Sequence, residues 1–450
     1  MTLADVWSLF DKKAMNTEAM NTQDMLQEAE RILRLNDKGH YTVPTHGLYP
    51  FQWNWDSCLT ALGQFRLSPD RAWTEVETLM AHQWPDGMVP HIVFHERDDG
   101  YFPGPDVWQT GRPTPTSGIT QPPVLGMVLE QLFLREDPAH RSEVRCRSLV
   151  QAAARWHDWF YRCRDPQGTG VVALLHPWES GRDNSCDWDD ALAQVPTEGI
   201  SPYQRKDITH VDASQRPTAF EYDRYVALVE CFRALKWDNS RLHDASPFQV
   251  VDPGFNAILI HSELALSRLA DQLGDPALAL RLRERAARSI AAMDTLWHGD
   301  LKQYACLNRR TGQRVNSASV GGLLPLLVLP QGHEHVADLS IRLTDWLDKA
   351  PFGVCSMDPL DMRFDGKRYW RGPSWLIVNF LLITGLRQCG ETELAHRVVQ
   401  ASLQCIQKSG CSEYYHPMTG EALGGGTFTW TAAMVIEFLN MDASQALLTA

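Results

Sequence analysis

The sequence lacks the features that would place the chain in a membrane or on nucleic acid. No run of about eighteen apolar residues occurs, so a membrane-spanning helix is not expected. The first residues include acidic ones and lack a basic segment followed by an apolar stretch, unlike a secretory signal. The net charge of −13 disfavours nucleic acid, which normally requires a basic surface. We therefore predict a cytoplasmic protein with neither membrane nor nucleic acid as partner.

Signatures of metal and cofactor binding are also missing. The ten cysteines show no C-x-x-C spacing and are expected to be reduced thiols. His91 and His95 lack a third ligand and an H-E-x-x-H arrangement, which favours a structural or substrate-contacting role. There is no G-x-G-x-x-G nucleotide fingerprint and no G-x-S-x-G nucleophile elbow. The sequence thus predicts no metal site, no cofactor and no catalytic serine of that type.

Helical periodicity accounts for most of the chain. In the clearest case Asp275 caps a helix, Pro276 occupies its first turn, and apolar residues follow at spacings of three or four. Ser68-Pro69 and Asp137-Pro138 are similar start signals. The pattern predicts helices near 22–35, 55–66, 71–83, 117–134, 139–162, 218–236, 255–271, 276–296, 317–328, 334–348, 372–388, 390–408 and 427–440.

Long segments rich in Trp, Gly, Pro and Asp separate these helices, and loops of such length usually serve as lids or binding loops. Helix pairs joined by such loops indicate an all-α fold. An (α/α)6 barrel is favoured over a helical solenoid because fixed-period self-similarity is weak. We predict a single catalytic domain over 1–450, with loops near 84–116 and 186–216 forming a cap over the mouth of the barrel.

Sixteen tryptophans are a high content for 450 residues, and many lie in the predicted loops. Sugar rings stack on aromatic side chains, while their hydroxyls need carboxylate, amide or guanidinium partners. YPFQWNWDS at 49–57 and YWRGPSW at 369–375 offer both kinds of group. Taken singly, such clusters are often core or loop anchors, but two of them mixed with charged groups indicate saccharide binding.

Two loops hold candidate catalytic acids. HPWESGRDNSCDWDD at 176–190 concentrates five carboxylates, and SEYYHPMTGEALGGGTFTW at 412–430 places Glu413 beside two tyrosines. Glycoside hydrolysis needs one protonated carboxyl group at the leaving oxygen and a second, ionised one that activates water or attacks carbon. Taken alone, the first loop also fits a solvated acidic turn, although it lacks the glycine of an EF-hand calcium loop. Glu413 alone is an ordinary loop glutamate.

Four motifs in order, PFQWNWDS, ESGRDNS, YWRGPSW and SEYYHPMTGE…GGGTFTWTAA, resemble glycoside hydrolase family 63. The likeness is closest to its short bacterial members that act on mannosylglycerate and glucosylglycerate, and it spans roughly residues 45–435. It implies an (α/α)6 barrel and an inverting mechanism, with Asp183 as general acid and Glu413 as general base. An inverting pair leaves room for a water, with carboxyl groups about 6.5–9.5 Å apart.

The same resemblance implies the substrate-binding residues. The residues implied for the hexose subsite are Tyr49, Trp53, Trp55, Asp56, Gln121 and Gly181. Those implied around the cleavage point are Tyr369, Trp370 and Trp375. Arg216 and Tyr222 are similar in spacing to the pair that holds the glycerate carboxylate. The segments 100–115 and 186–212 do not match the lid of the family.

The sequence therefore predicts an inverting α-glycosidase that releases hexose and glycerate from glucosylglycerate or mannosylglycerate. A neutral disaccharide or glucosylglycerol is the alternative substrate, and a non-catalytic carbohydrate-binding toroid is the alternative outside catalysis. A guanidinium from 200–224 directed at the aglycone distinguishes an anionic from a neutral substrate. The expected partner is a small glycoside, and a homo-oligomer is compatible with the sequence.

Overall fold

The computed structural model describes residues 20–209 and 211–449, and of residues 443–449 the helical backbone alone. Numbered in chain order, its α-helices are α1 (Thr22–Leu35), α2 (Asn54–Leu67), α3 (Pro69–Met80), α4 (Pro105–Trp108), α5 (Leu125–Arg135), α6 (Glu143–Arg164), α7 (Asp189–Ala193), α8 (Ala219–Ala234), α9 (Asn239–Ala245), α10 (Pro253–Gln272), α11 (Pro276–Met293), α12 (Glu334–Lys349), α13 (Leu376–Gln388), α14 (Thr392–Ser409) and α15 (Thr429–Thr449).

Short strands and 3₁₀ turns occupy the loops. The strands are β1 (Gln52–Trp53), β2 (Ile92–Val93), β3 (Ala173–Leu174), β4 (Val250–Val251), β5 (Trp297–His298), β6 (Gln303–Tyr304), β7 (Leu307–Asn308), β8 (Gln313–Arg314), β9 (Ser412–Tyr415) and β10 (Ala422–Gly426). They form antiparallel pairs, with β3, β4, β7 and β8 joined in one small sheet. The 3₁₀ turns are Pro177–Ser180, Cys186–Trp188, Asp207–Thr209, Ala213–Gln215, Asp294–Leu296, Val320–Gly322 and Leu324–Leu327.

A closed ring of inner elements forms the centre of the fold. α2 packs on α5, α5 on α10, and α10 on the 3₁₀ turns at 320–327, which pack in turn on α13. α13 contacts α15, and α15 contacts α2, which closes the ring. The inner helices are apolar nearly all round, as helices buried on every side must be. In α13, for example, all of residues 376–383 are buried.

Amphipathic helices form the outer layer. α1 covers α15, α3 covers α2, α6 covers α5 and α10, α11 covers α10, and α14 covers α13 and α15, with α12 beside α14. Within the described residues, six inner and six outer elements thus form the predicted (α/α)6 barrel. The predicted caps are confirmed at two outer helices, where the Ser68 side chain accepts from the Arg71 amide and that of Asp275 from the Leu278 amide.

The fourth inner element corrects one helix prediction. The sequence pattern predicts an α-helix at 317–328, but the segment forms two 3₁₀ turns. Two glycines and a proline make it a poor α-helix former. A Cβ on Gly321 would also lie 2.3 Å from the Arg182 guanidinium, so the backbone here passes close to a buried charge.

Two helix starts also differ from the prediction. α5 begins at Leu125 rather than near 117, because the Pro122-Pro123 pair disfavours helical geometry before it. α6 begins at Glu143 with Ser142 as its cap, so Asp137-Pro138 marks a turn and not the helix start. The short helix α9 is absent from the sequence prediction.

Two further properties concern the described residues as a whole. None of the helices within them is both long enough and apolar enough to cross a membrane. All ten cysteines lie within them as free thiols, nine of them buried.

Candidate active site

A cavity lies at the end of the barrel where the inner helices α2, α13 and α15 begin, since its wall includes residues at or just before their first turns. Its empty space, about 930 Å³ including the part that opens to solvent, is lined by aromatic rings together with a few carboxyl, amide and guanidinium groups. The thirteen residues predicted for the site all lie in its wall, namely Tyr49, Trp53, Trp55, Asp56, Gln121, Gly181, Asp183, Arg216, Tyr222, Tyr369, Trp370, Trp375 and Glu413.

The hairpin β9–β10 presents Glu413 to this cavity. Its strands pair Tyr414 with Leu423 and Tyr415 with Ala422. Gly424 adopts a φ of +72°, and a Cβ there would lie 2.3 Å from Glu413 Oε2. The glycine run seen in the sequence is therefore needed both for left-handed backbone and for close approach to the carboxylate.

The Glu413 carboxylate is 1% exposed and accepts four hydrogen bonds. The hydroxyls of Tyr49 and Tyr369 donate to Oε1 at 3.0 and 3.2 Å. Arg216 Nη2 and the Gly425 amide donate to Oε2 at 3.3 and 3.4 Å. Arg216 also donates from Nη1 to the Tyr49 hydroxyl at 2.8 Å. Surroundings made of donors suit an ionised carboxylate, which only accepts.

The loop before α7 presents Asp183. Its 3₁₀ turn ends at Gly181, whose φ is +69° and where a Cβ would lie 2.6 Å from the Trp55 ring. The next residue, Arg182, is 3% exposed and ion-pairs with Asp187 and Asp252, each at 2.9 Å. Because these contacts hold both sides of the backbone at 181–183, the position of Asp183 is fixed by its neighbours.

The carboxyl group of Asp183 has no such partners. No side chain within 20–209 or 211–449 donates a hydrogen bond to it, and the Tyr225 hydroxyl binds only its backbone carbonyl, at 2.7 Å. Burial raises the pKa of Asp183 to about 7, against the opposing effect of Arg216 and with a further increase from Glu413. A large share of this group is therefore protonated at neutral pH.

Aromatic rings make up much of the remaining wall. Trp370 and Trp375 stack with ring centroids 3.9 Å apart and an interplanar angle of 4°. Trp375 Nε1 donates to the carbonyl of Tyr369 at 3.1 Å, and Tyr369 is held at a φ of +40°. A tyrosine in left-handed backbone is uncommon and indicates a conformation imposed by the site. On another part of the wall, Trp55 meets Trp430 edge to face at 5.9 Å.

Asp56 and Gln121 provide polar groups among these rings. Asp56 lies in the first turn of α2 and is 7% exposed. Burial raises the pKa of Asp56 well above its ordinary value, and Glu413 and Asp183 raise it further. Gln121 Oε1 accepts from the Trp55 amide at 3.3 Å.

Tyr222 lies with a second group of rings. Its hydroxyl donates to the Phe102 carbonyl at 3.3 Å, and its ring stacks on Tyr203 with centroids 5.7 Å apart. The guanidinium of Arg205 lies 4.3 Å from the centroid of the same ring. Arg205 itself is outside the cavity wall, so Arg216 is the arginine of 200–224 that reaches the cavity.

Sequence reasoning missed several residues of the wall. They are Tyr101, Phe102, Trp178, Lys206, Asp207, Phe428 and Trp430. Trp178 and Trp430 stand inside motifs already singled out, so their sequence positions were a usable signal. Tyr101, Phe102, Lys206 and Asp207 belong to the two loops expected to form a cap, where no motif marks individual residues. His91, for which the sequence favours a structural or substrate-contacting role, also lies in the wall. Within the described residues, no group of three or more His, Cys, Asp or Glu side chains could hold a metal.

Comparison with known proteins places this geometry in a family. The model for the mannosylglycerate hydrolase MGH1-like glycoside hydrolase domain matches residues 49–431. The chain belongs to this family of glycoside hydrolases. It is therefore an enzyme of glycoside hydrolysis, and the family prediction made from the motifs is confirmed.

Individual relatives match nearly the whole chain. The chain is similar to mannosylglycerate hydrolase MGH1 of Selaginella moellendorffii, with 45% identity over 92% of this chain and 85% of the relative. A glucosylglycerate hydrolase of Mycolicibacterium hassiacum is 34% identical over 91% of this chain and 96% of the relative. The crystal structure of a GH63 mannosylglycerate hydrolase from Thermus thermophilus, in complex with Tris and D-glycerate, superposes with a TM-score of 0.89. It is 40% identical and covers 92% of this chain and 100% of that one.

Proposed function

We propose that this glycoside hydrolase cleaves glucosylglycerate or mannosylglycerate to hexose and glycerate with inversion, with Asp183 as general acid and Glu413 as general base. The observation that carries the proposal is the difference between the two carboxyl groups of one cavity. Asp183 is unpaired and has a pKa of about 7, whereas Glu413 accepts four hydrogen bonds. An inverting glycosidase needs one carboxyl group that is protonated and a second one, nearby, that is ionised.

The reaction follows from these roles. Glu413 removes a proton from a water as the water oxygen attacks the anomeric carbon. Asp183 gives its proton to the glycosidic oxygen as the bond from that oxygen to the anomeric carbon breaks. Attack from the face opposite the leaving group converts an α-glycoside to a β-hexose. The hydroxyls of Tyr49 and Tyr369 and the guanidinium of Arg216 keep the Glu413 carboxylate oriented.

The other predicted residues divide between the two parts of the substrate. Trp53, Trp55, Asp56, Gln121 and Gly181 are proposed to bind the hexose, because they combine apolar ring faces with polar groups near α2. Tyr369, Trp370 and Trp375 are proposed to surround the bond that is cleaved.

Arg216 and Tyr222 are proposed to contact the aglycone. Arg216 lines the cavity wall, and its buried Nε has no hydrogen-bond partner within the described residues. The relative crystallised with D-glycerate supports an aglycone of this chemistry.

The domain organisation and the location of the enzyme complete the proposal. We propose that the barrel is one catalytic domain and that loops 84–116 and 186–216, which supply Tyr101, Phe102, Lys206 and Asp207 to the wall, act as its cap. We also propose a cytoplasmic location, since ten free thiols suit a reducing compartment.

A panel of α-glycosides tests the substrate. Mannosylglycerate, glucosylglycerate, glucosylglycerol and trehalose are incubated with the enzyme, and free hexose is measured. We expect kcat/KM for at least one hexosyl glycerate to exceed that for both neutral glycosides by about tenfold or more, the equivalent of roughly 1.4 kcal/mol. A preference for trehalose or glucosylglycerol would contradict the proposed substrate.

The stereochemistry is measured separately. Proton NMR of the first hexose formed, recorded before mutarotation, is expected to give the β-anomer. An α-anomer formed first would mean that the two carboxyl groups act as nucleophile and acid/base, and would contradict the proposed roles.

A further inference from the structure

Almost every ionisable side chain of the cavity wall either pairs with an opposite charge or favours its neutral form. Glu413 pairs with Arg216 at 3.3 Å, and both are buried. Asp207 pairs with Arg205 at 2.6 Å. Asp183 has a pKa of about 7, and burial raises that of Asp56 well above its ordinary value, so both carboxyl groups favour the neutral form. One charged residue of the wall remains outside this balance.

That residue is Lys206, which is half-buried between Arg205 and Asp207. Its ammonium group forms no hydrogen bond or ion pair with any residue in 20–209 or 211–449. Its carbonyl accepts from the amide of Thr209 at 3.1 Å and from the Thr209 hydroxyl at 2.6 Å, which places Lys206 at the start of the 3₁₀ turn. An unpaired cation at the wall leaves one positive charge available to a ligand.

Arg205, its neighbour, is committed elsewhere. It donates to the Pro217 carbonyl at 2.7 Å and packs on the Tyr222 ring while it holds Asp207. Arg216 is committed as well, since moving its charge to a ligand weakens its contact with Glu413. Lys206 can bind an anion without breaking any contact of this kind.

The position of Lys206 indicates which part of the substrate it meets. It lines the cavity and also an adjoining outer pocket, and Tyr101 and Phe102 are shared between the two in the same way. The proposed hexose residues Trp55, Asp56 and Gly181 do not reach the outer pocket. Lys206 therefore lies where the cavity joins the outer pocket, away from the proposed hexose residues, and this is the side on which an aglycone would leave.

We propose that Lys206 selects an anionic aglycone, with its ammonium group binding the glycerate carboxylate at the mouth of the cavity. This inference rests on the proposed function and adds the residue that matches the charge of the substrate. In this arrangement Arg216 donates a hydrogen bond to the aglycone, but the charge of its guanidinium is already balanced by Glu413. Lys206 supplies the positive charge that no other residue balances.

Two substrates that differ only at the carboxylate test this role. The α-hexosyl glycerate that the enzyme hydrolyses is compared with the matching α-hexosyl glycerol, in which a CH₂OH group replaces the carboxylate. In Lys206→Met, KM for the glycerate substrate is expected to rise about tenfold or more with kcat changed less than about threefold, since a partly buried charge contact is lost. KM for the glycerol substrate is expected to stay within about twofold.

Two further variants serve as controls. Lys206→Arg keeps the charge and is expected to retain most of the affinity for the glycerate substrate. Lys302→Met removes a surface lysine that pairs with Asp338 and is expected to behave like the parent enzyme. Inhibition by free D-glycerate is a readout without turnover, and its inhibition constant should rise about tenfold in Lys206→Met alone.

The outcomes separate the two proposals. Equal losses on both substrates would mean that Lys206 supports the loop, and unchanged KM and inhibition constants would mean that it does not meet the carboxylate; either result overturns the inference. A parent enzyme that cleaves no hexosyl glycerate overturns the proposed function instead.

Discussion

The loop around Asp183 and the hairpin around Glu413 meet at one cavity but treat their carboxyl groups in opposite ways. In the loop, ion pairs are made by Arg182 with Asp187 and Asp252, behind the acid, and Asp183 itself has none. In the hairpin the donors converge on Glu413. The loop fixes a backbone position and leaves the side chain unpaired, while the hairpin fixes the side chain. The comparison teaches that one fold can surround one carboxyl group with hydrogen-bond donors and leave another without side-chain donors, which is the difference that their proposed roles require.

Replacement of Glu413, the proposed general base, is the strongest challenge to this comparison. Glu413→Gln is expected to lower kcat by about 10³-fold or more with any leaving group, because water must still be deprotonated as it attacks. Steady-state kinetics on a hexosyl glycerate and, if it is accepted, on an activated aryl hexoside measures the loss. Glu421→Gln, an exposed glutamate of the same region, is the control. A loss confined to the glycerate substrate would assign Glu413 to leaving-group protonation.

The effect of replacing Asp183, the proposed general acid, is expected to depend on the leaving group. Asp183→Asn should lower kcat/KM for a hexosyl glycerate by about 10²- to 10³-fold, because glycerate leaves poorly without a proton. An activated aryl leaving group should suffer about tenfold less. Asp190→Asn alters an exposed carboxylate of the same acidic stretch and should have little effect. Similar losses with both leaving groups would argue against the assigned role.

The pH dependence follows from the pKa of about 7 at Asp183. Because the general acid must carry its proton, kcat/KM for the hexosyl glycerate should fall about tenfold per pH unit above that value. A profile from about pH 5 to about pH 9 measures this limb. The limb should be absent in Asp183→Asn, and its persistence there would mean that another group titrates.

A last expected effect is on stability, and its sign differs between the two regions. The folded state holds the proton of Asp183 more tightly than the unfolded chain, since its pKa is raised from 3.8 to about 7. The stability that the protonated group contributes is fully present below the unfolded pKa and is lost as pH rises through the folded pKa. At about pH 8, Asp183→Asn should therefore raise the free energy of unfolding, by about 4 kcal/mol at most.

Glu413→Gln should lower the free energy of unfolding by about 2–4 kcal/mol, because it leaves Arg216 buried without its counter-ion. Denaturant unfolding of both variants at the same pH measures the pair of effects. If Asp183→Asn were the less stable of the two variants, the Asp183 carboxyl group would have a stabilising partner, which would contradict the comparison.

Much of the fold and the site could be predicted because the necessary signals are local. Capping at Asp275 and the apolar face that follows it depend on neighbouring residues alone. Ten of the thirteen predicted site residues lie in or directly beside the motifs that resemble a known family, and these motifs hold the sharp turns and stacked rings of the wall. The other three, Gln121, Arg216 and Tyr222, follow from the resemblance alone.

The failures arise where tertiary contacts decide the local structure. The turns at 320–327 replace a helix because the backbone there passes Arg182, which is distant in sequence. Lys206 belongs to no motif, and only the folded structure distinguishes it from Arg205, by its place in the cavity wall and its unpaired ammonium group.

Because the inner ring must close, the enzyme can become active only after the last elements of the ring have formed. α15 fills the last gap between α13 and α2, and Asn36 near α1 donates to Thr429 at its start, 393 residues away in the chain. Contacts of such separation form late, since they must repay the entropy of closing a very long loop. During synthesis, the segments with Trp55 and Asp183 emerge long before β9 and α15. A nascent chain therefore cannot catalyse until its last quarter has been made and has closed the ring.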